Sequence, residues 1–510
     1  MRILSGFLKA AALNAALAVG LAATPALAQK STNTIRFAYD QVPENIDPYF
    51  NNVRIGVIIG QHVWDTLIYR DPNTGEYKGQ LATGWKWVDD KTLDIDLRQG
   101  IKFHNGEAFD ADDVVYTLNY VSKAESKVVS QNNVDWIASA EKIDSFKVRI
   151  NLKRAFPAAI EYLAGPVVIH PNEYYAKVGP TGMNAAAVGS GPYRVVEHSV
   201  GKILKLERNK DYFKDSPKPQ PQIDKIEIRF IPDRQTQMAE MLAGGLDLIM
   251  NVPPDQAEQV KVVPHLGVKS GETMRIVFLN LNTLETTSTP PLRDVRVRKA
   301  IQHAIDRETM VKQLVGNGGR VLNVVCFPGQ FGCVDTSAPK FTYDVAESKR
   351  LLAEAGFPNG FELDFFAYRD RPQSEAMVNY LRAVGIKANM RFMQYAAMRE
   401  QVRQNKVGMA HQTWGSFSVN DVSASTPVYF KFLPDDMNRD PDVRDLLEKG
   451  DTSVNPETRK ENYGKALALI QERALAVPLY SLVTFYVMAK SLDMKTYPDE
   501  MPRMWEMSWK

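Results

Sequence analysis

Leu81-Ala82-Thr83-Gly84-Trp85, then Leu93 to Gly100, then Ile101-Lys102-Phe103-His104-Asn105-Gly106-Glu107, then Asp110-Ala111-Asp112-Asp113-Val114 form one stretch of a 510-residue chain. Leu93, Ile95 and Leu97 alternate with Asp94, Asp96 and Arg98, the pattern of a strand with one buried face. Asn105-Gly106 is a tight-turn pair. Asp110 then precedes an acidic first turn and an apolar stripe at Val114, Leu118 and Val121, which predicts a capped amphipathic helix. Strand, turn and helix in that order mark a mixed α/β chain.

The pattern continues outward. Phe146, Val148, Ile150 and Leu152 alternate with polar residues, as do Ile226, Ile228 and Phe230. A helix from about Asp294 sets Val297, Ile301, Ala304 and Ile305 on one side, and Arg296, Arg298 and Lys299 read as its solvated face. Val345 to Ala355 reads as a helix stopped by Gly356 and Pro358, followed by a strand Phe361 to Ala367, a helix from about Ser374 to Val384 stopped by Gly385, and a strand Ile386 to Phe392. That run predicts a parallel strand-helix-strand unit. Val477 to Met488, mostly apolar and aromatic, predicts a buried strand pair or packed extended segment. Pro217-Lys218-Pro219-Gln220-Pro221 is a stiff loop, too short to free two modules.

Arg2 and Lys9 flank a short start, and the apolar run to Leu27 ends in Ala26-Leu27-Ala28. This predicts a secretory signal over residues 1–28, cleaved after Ala28. No cysteine follows the site, so no lipid anchor is expected. The whole chain has 62 basic and 60 acidic residues, and Arg2 and Lys9 account for the excess. A neutral mature chain without basic blocks gives no reason to expect nucleic acid or an anionic membrane as partner. Cys326 and Cys333 flank a short Pro/Gly loop, and in an oxidising compartment they are expected to form a local disulfide that shapes that loop.

Catalytic motifs fail on inspection. Gly201-Lys202 and Gly464-Lys465 lack the upstream glycine and following hydroxyl of a phosphate loop. Ser190 in Val188-Gly189-Ser190-Gly191 does not fit a nucleophile elbow, and Gly316-Asn317-Gly318-Gly319 follows a helix where a dinucleotide loop should follow a strand. The seven histidines are scattered without metal-ligand spacing. No catalytic residue, cofactor or metal site is therefore assigned, and the chain is read as non-enzymatic.

The block from Leu81 to Val114 closely resembles the signature of the family 5 extracellular solute-binding proteins, the dipeptide-, oligopeptide- and nickel-binding components of ABC importers. The resemblance extends to Gly189-Ser190-Gly191-Pro192-Tyr193, Leu206-Glu207-Arg208-Asn209 with Tyr212-Phe213, Asn280-Leu281-Asn282 and Asp294 to Ile301. It implies a bilobed α/β periplasmic-binding-protein fold, type II, large cluster, with a two-crossing hinge. Lobe one would span 29–275 with an extra subdomain at about 81–185, lobe two 276–477, and 478–510 would return to lobe one. The partners implied are a small-molecule or peptide ligand and an inner-membrane ABC permease with its ATPase subunits, served by a periplasmic monomer. The His104 block is explained by a turn and a cap, so His104 is not assigned to ligand.

In peptide-binding relatives an acid three residues after a lobe-two tryptophan pairs with the ligand amine. Here Trp414 is followed by Gly415-Ser416-Phe417, so Phe417 replaces the carboxylate and Asp421 is the nearest substitute. An unpaired buried ammonium is costly, which disfavours an ordinary free-amine dipeptide. Tyr368-Arg369-Asp370-Arg371 follows a strand at the carboxyl end where open α/β sheets bind ligands, and Arg369 or Arg371 could grip a carboxylate. They could equally form a surface turn paired through Asp370. His411 lies near Trp414 and Ser416 in a Gly/Ser-rich segment. In lobe one, Tyr39 and the loop carrying Asn51, Asn52 and Arg54 fall where relatives contact ligand, and Trp136 either walls the cleft or sits in the core. Three functions follow: importer-linked capture of a peptide or peptide-like solute; capture of an opine or other amino-acid conjugate, an oligosaccharide or a metal chelate; and a periplasmic chaperone or enzyme on the same fold.

Overall fold

The computed structural model describes residues 32–285, 290–316 and 318–510, so the signal segment expected at 1–28 lies outside the described residues. A ten-stranded mixed sheet runs through the molecule in the order Ile386–Phe392, Phe361–Ala367, Met409–Trp414, Leu266–Leu281, Ala476–Ala489, Leu248–Met250, Thr34–Tyr39, Lys225–Phe230, Ile203–Arg208, Tyr193–Ser199. At its centre the two long strands Leu266–Leu281 and Ala476–Ala489 pair antiparallel from Leu266↔Ala489 to Asn280↔Ala476. Their register breaks between Glu272 and Ile276, where a bulge leaves Thr273 to donate to the Leu482 carbonyl at 2.9 Å. A bulge bends and twists a strand locally, so the sheet bends where its two halves meet.

Each half has its own core. Ile35, Phe37, Trp64, Tyr193, Leu206 and Trp505 belong to one cluster; Val277, Leu279, Ile301, Phe365, Leu381 and Leu479 belong to another on the far side of the bulge. The parallel unit predicted from the sequence is present as Phe361–Ala367, helix Arg371–Ala383 and Ile386–Phe392, in register Phe361↔Ile386. Gly360 and Gly385, both at positive φ, let the chain return so closely that a Cβ on Gly360 would meet the Gly385 carbonyl oxygen at 1.9 Å. The apolar C-terminal run forms one long strand, buried along almost its whole length.

The opening stretch forms a four-stranded antiparallel sheet, Ala82–Asp89, Thr92–Leu97, Lys147–Leu152 and Ile137–Asp144. Helix Ala111–Val121 covers it, closed by a full capping box in which the Asp110 and Asp113 side chains accept each other's terminal amides. His104 locks this unit to the first lobe: its ring bonds the Gly191 carbonyl at 3.0 Å and accepts from the Gly189 amide at 3.2 Å. Gly189 in turn packs so closely that a Cβ there would meet the Val63 carbonyl oxygen at 2.0 Å. The Gly-Ser-Gly-Pro-Tyr motif is thus a joint between chain segments.

One expectation for the Asp294 helix is corrected. Helix Val295–Ala304 buries Arg298, which donates to the carbonyls of Leu292, Arg293, Arg473 and Ala474. Those last two carbonyls lie just beyond the end of helix Pro456–Glu472, where helical partners run out, and a five-donor fork satisfies them.

Candidate ligand-binding cleft

The long-strand bulge carries Arg275 to the boundary between the two halves. Its guanidinium donates to both Glu500 oxygens at 2.8 to 3.1 Å, while Arg54 approaches the same carboxylate at 2.9 Å. All three side chains are mostly or fully buried. Burial alone would raise the Glu500 carboxyl, but the Arg275 and Arg54 charges outweigh it and hold the group down at about 2. Neither Arg275 nor Glu500 was nominated from the sequence. The available signal was a cation inside the apolar run Met274–Leu281 and an acid pair between Pro498 and Pro502.

Around this triad the halves converge. Tyr39, at the end of the strand Thr34–Tyr39, receives a long 3.4 Å bond from Asn251. Its phenol is pushed up to about 12 by burial, reinforced by Asp40 and Glu500, while Arg369 acts against the rise. Arg369, at the end of the strand Phe361–Ala367, donates its Nε to Asp370 at 3.0 Å. Its side chain keeps 20% exposure, and its two terminal nitrogens have no protein partner among the described residues. Tyr368 shares a 2.6 Å hydrogen bond with Thr413 and packs against the Tyr395 ring at 4.8 Å. Tyr39, Tyr368 and Arg369 are therefore gathered near the Arg275–Glu500 pair.

The other nominated residues sit differently. Asn51 caps its own loop, donating to the Val53 carbonyl at 2.9 Å, and Asn52 is half-buried. Trp136 has 0% exposure, stacks on Phe156 and donates to the Asn133 carbonyl, which leaves no face for a solute. Arg371 is exposed, lies over the Phe392 ring and pairs with Glu375. His411 is buried in the strand Met409–Trp414, with Nδ1 at 2.9 Å from the Ser374 hydroxyl and no partner for Nε2 among the described residues. Asp421 is spent on Arg459, which meets both its oxygens at 3.0 Å and also donates to Tyr463 and the Gly450 carbonyl. Burial raises the Asp421 carboxyl and Arg459 opposes the rise.

The segment after Trp414 is unusual in its backbone. Ser416, Phe417 and Ser418 have φ of 50°, 50° and 67°, three successive non-glycine residues in the left-handed region. Each such residue costs roughly 1–2 kcal/mol. Phe417 meets the Trp414 ring edge-on at 5.3 Å and packs against the core of the first lobe. Cys326 and Cys333 are joined by a disulfide, and the loop they close holds the same segment: Gln330 donates to the Val419 carbonyl at 2.9 Å, Phe331 donates to Asn420, and Val422 donates to Phe331.

Two buried histidines, His62 and His411, and the half-buried His104 give the molecule a stability that depends on pH. Burial lowers His62 to about 3 and His104 and His411 to about 4. Unfolded histidines titrate near 6.5, so between that value and about 4 the unfolded chain binds more protons and acid destabilises the fold, on the order of 2–3 kcal/mol per histidine. Asp113 works the other way, because burial raises it to about 7. Asp135, Glu161, Asp421 and Asp436 are also raised by burial and act in the same sense as Asp113. The urea midpoint of the native chain is expected to fall more steeply, or rise less, between pH 7.5 and pH 4.5 than that of His411→Gln, and equal slopes would contradict the assignment for that histidine.

Two cored lobes joined by a bulged pair of crossing strands, with polar side chains from both meeting at the joint, define a bilobed solute receptor. The chain matches the model for bacterial extracellular solute-binding proteins, family 5, over residues 76–432, and it belongs to that family. It is 27% identical over 428 residues to a glutathione-binding protein, GsiB, of Salmonella paratyphi A, covering 81% of this chain and 80% of the relative. It is 23% identical over 461 residues to heme-binding protein A of Haemophilus influenzae, covering 83% and 82%. Among solved structures, a dipeptide-binding protein of Pseudoalteromonas sp. SM9913 with bound Met-Leu superposes at a TM-score of 0.83 with 21% identity, covering 94% of this chain and 100% of that one. AgaA of A. tumefaciens R10 with agropinic acid superposes at 0.80 with 24% identity, covering 94% and 99%. The fold is accordingly the bilobed one, and the protein is a solute-binding protein of the ABC-importer type. Among the described residues no helix is long and apolar enough to cross a membrane.

Proposed function

We propose that this chain is the exported, monomeric binding component of an ABC importer, capturing a peptide or peptide-like solute between its lobes for the permease. On this reading lobe one spans 29–275 and lobe two 276–477, 478–510 returns to lobe one, and the bulge at Thr273 to Arg275 is the hinge. The observation that carries it is the convergence of Arg369, Tyr368 and Tyr39 from opposite sides of the joint, with two guanidinium nitrogens of Arg369 left to bind an anionic group. A bidentate guanidinium–carboxylate contact in a closed, water-poor cleft is strong and oriented.

A specific observation favours a second reading, an acidic amino-acid conjugate in place of a free-amine peptide. The carboxylates near the joint are already paired: Glu500 with Arg275 and Arg54, Asp370 with Arg369, Asp40 with Arg234, Asp435 with Arg399 and Asp421 with Arg459. A ligand ammonium would find no spare anion among them.

Mass spectrometry of solute released from gently purified protein, with thermal shifts against peptides, N-acetylated peptides and amino-acid conjugates, tests both. A bound ligand stabilises the folded state, so the true class raises the melting temperature. Arg369→Ala is expected to cost about a hundredfold in affinity for a carboxylate-bearing ligand. Unchanged affinity would remove Arg369 from the site, and a panel with no shift and no released solute would overturn capture.

A further inference from the structure

Every group that holds the left-handed turn Ser416–Ser418 from outside its own lobe comes from the opposite one. Arg54 donates to the Ser418 hydroxyl at 2.6 Å and to the Gly415 carbonyl at 3.3 Å. The Ser418 hydroxyl donates to the Asp499 carbonyl at 2.7 Å, and Arg70 donates to the Ser418 carbonyl at 3.3 Å. One step along, the Asn420 amide donates to Glu161 at 2.6 Å, and that buried carboxylate is itself fixed by Arg70 and by the Tyr77 hydroxyl. Phe417 completes the contact by lining, with Val57, Gln61 and Met501, a recess of only ≈ 40 Å³. A disfavoured backbone persists when its surroundings over-determine it. Part of the surroundings lies across the joint, so parting the lobes removes the contacts with Arg54, Arg70, Asp499 and Glu161 and leaves the turn only its bonds within its own lobe, Ser418 amide to Gly415, Val419 amide to Ser416 and Gln330 to Val419.

We propose that Gly415–Asn420 is a strained latch whose left-handed form is stabilised by contacts made when the lobes close, and that Arg54 is the positioning residue that catches it. Closing must force three residues into a disfavoured conformation, and that cost offsets much of what the contacts contribute. The open and closed states are thereby kept near balance, so that a solute with modest differential affinity can tip them. Arg54 acts through the turn and through Glu500, without touching the solute. Phe417, at the place where peptide binders carry their acid, serves closure. The proposal deepens the capture reading and rests on it for its purpose, but its test does not require a ligand.

Two substitutions move the latch in opposite directions. Arg54→Met removes the catch while leaving Glu500 paired with Arg275, so the fold is retained. Ser416→Gly relieves one left-handed residue and leaves the bonds of Gly415 and Ser418 to Arg54, Arg70 and Asp499 in place. In ligand-free protein, hydrogen exchange at the amides of Ser418, Val419 and Asn420 is expected to speed up about tenfold in Arg54→Met, with a larger radius of gyration by small-angle scattering. The same amides are expected to exchange about fivefold more slowly in Ser416→Gly. For any solute that binds the native protein, affinity follows the same two directions. Exchange and scattering unchanged in Arg54→Met, or both variants shifting the same way, would overturn the latch. Latch behaviour without binding of any solute would instead overturn capture, so the two failures are distinguishable.

Discussion

Replacing Glu500 with glutamine is expected to destabilise the protein by about 3–5 kcal/mol, the largest single-site loss outside the apolar core. The side chain keeps its shape and loses its charge, leaving the buried guanidiniums of Arg275 and Arg54 facing each other with no anion between them. Much of the loss is the cost of that uncompensated charge and little of it the intrinsic worth of the pair. Removing a cation as well should therefore restore part of the stability: Glu500→Gln combined with Arg275→Met is expected to melt above Glu500→Gln alone. Calorimetric melting of the two variants beside the native chain checks both statements. A loss below about 1 kcal/mol, the range of exposed pairs, would mean that the triad is solvated.

Asp421→Asn is expected to cost about 3 kcal/mol in stability, because Arg459 is left buried beside Tyr463 and the Gly450 carbonyl without its counter-charge. This substitution also decides between two roles. If Asp421 served as the missing partner of a ligand ammonium, its loss would weaken binding by about a hundredfold or more and leave the melting temperature nearly unchanged. The Arg459 pairing predicts the reverse: a lower melting temperature in a folded protein that retains its affinity. Titration calorimetry well below the melting temperature, set beside the melting curves, separates the outcomes. Arg459→Met in the Asp421→Asn background should recover stability, as for the first triad.

The elements most legible in the sequence were those with local causes. Helix Ala111–Val121 was marked by Asp110 and its acidic first turn, and the parallel unit by the helix stops Gly356, Pro358 and Gly385, residues whose roles are met within a few positions along the chain. Arg298 was misread for the opposite reason. Helical spacing placed it with Arg296 and Lys299, and nothing local announces that the carbonyls of Arg473 and Ala474 need donors there. The site divided in the same way. Arg369 was found because strand ends in α/β sheets are recognisable, whereas Arg275 and Glu500, 225 residues apart, have no shared pattern to betray them.

The sequence by itself determined the mixed α/β architecture, the family resemblance and the substitution of Phe417 for an expected acid, because strand alternation, caps and motif spacing are properties of neighbouring residues. Tertiary structure alone decided how that substitution is used. It placed Asp421 against Arg459, gathered Glu500 between Arg54 and Arg275, and set the left-handed turn of Ser416 to Ser418 against the opposite lobe. Burial and long-range charge pairing are properties of distance in space, and chain order carries no record of them.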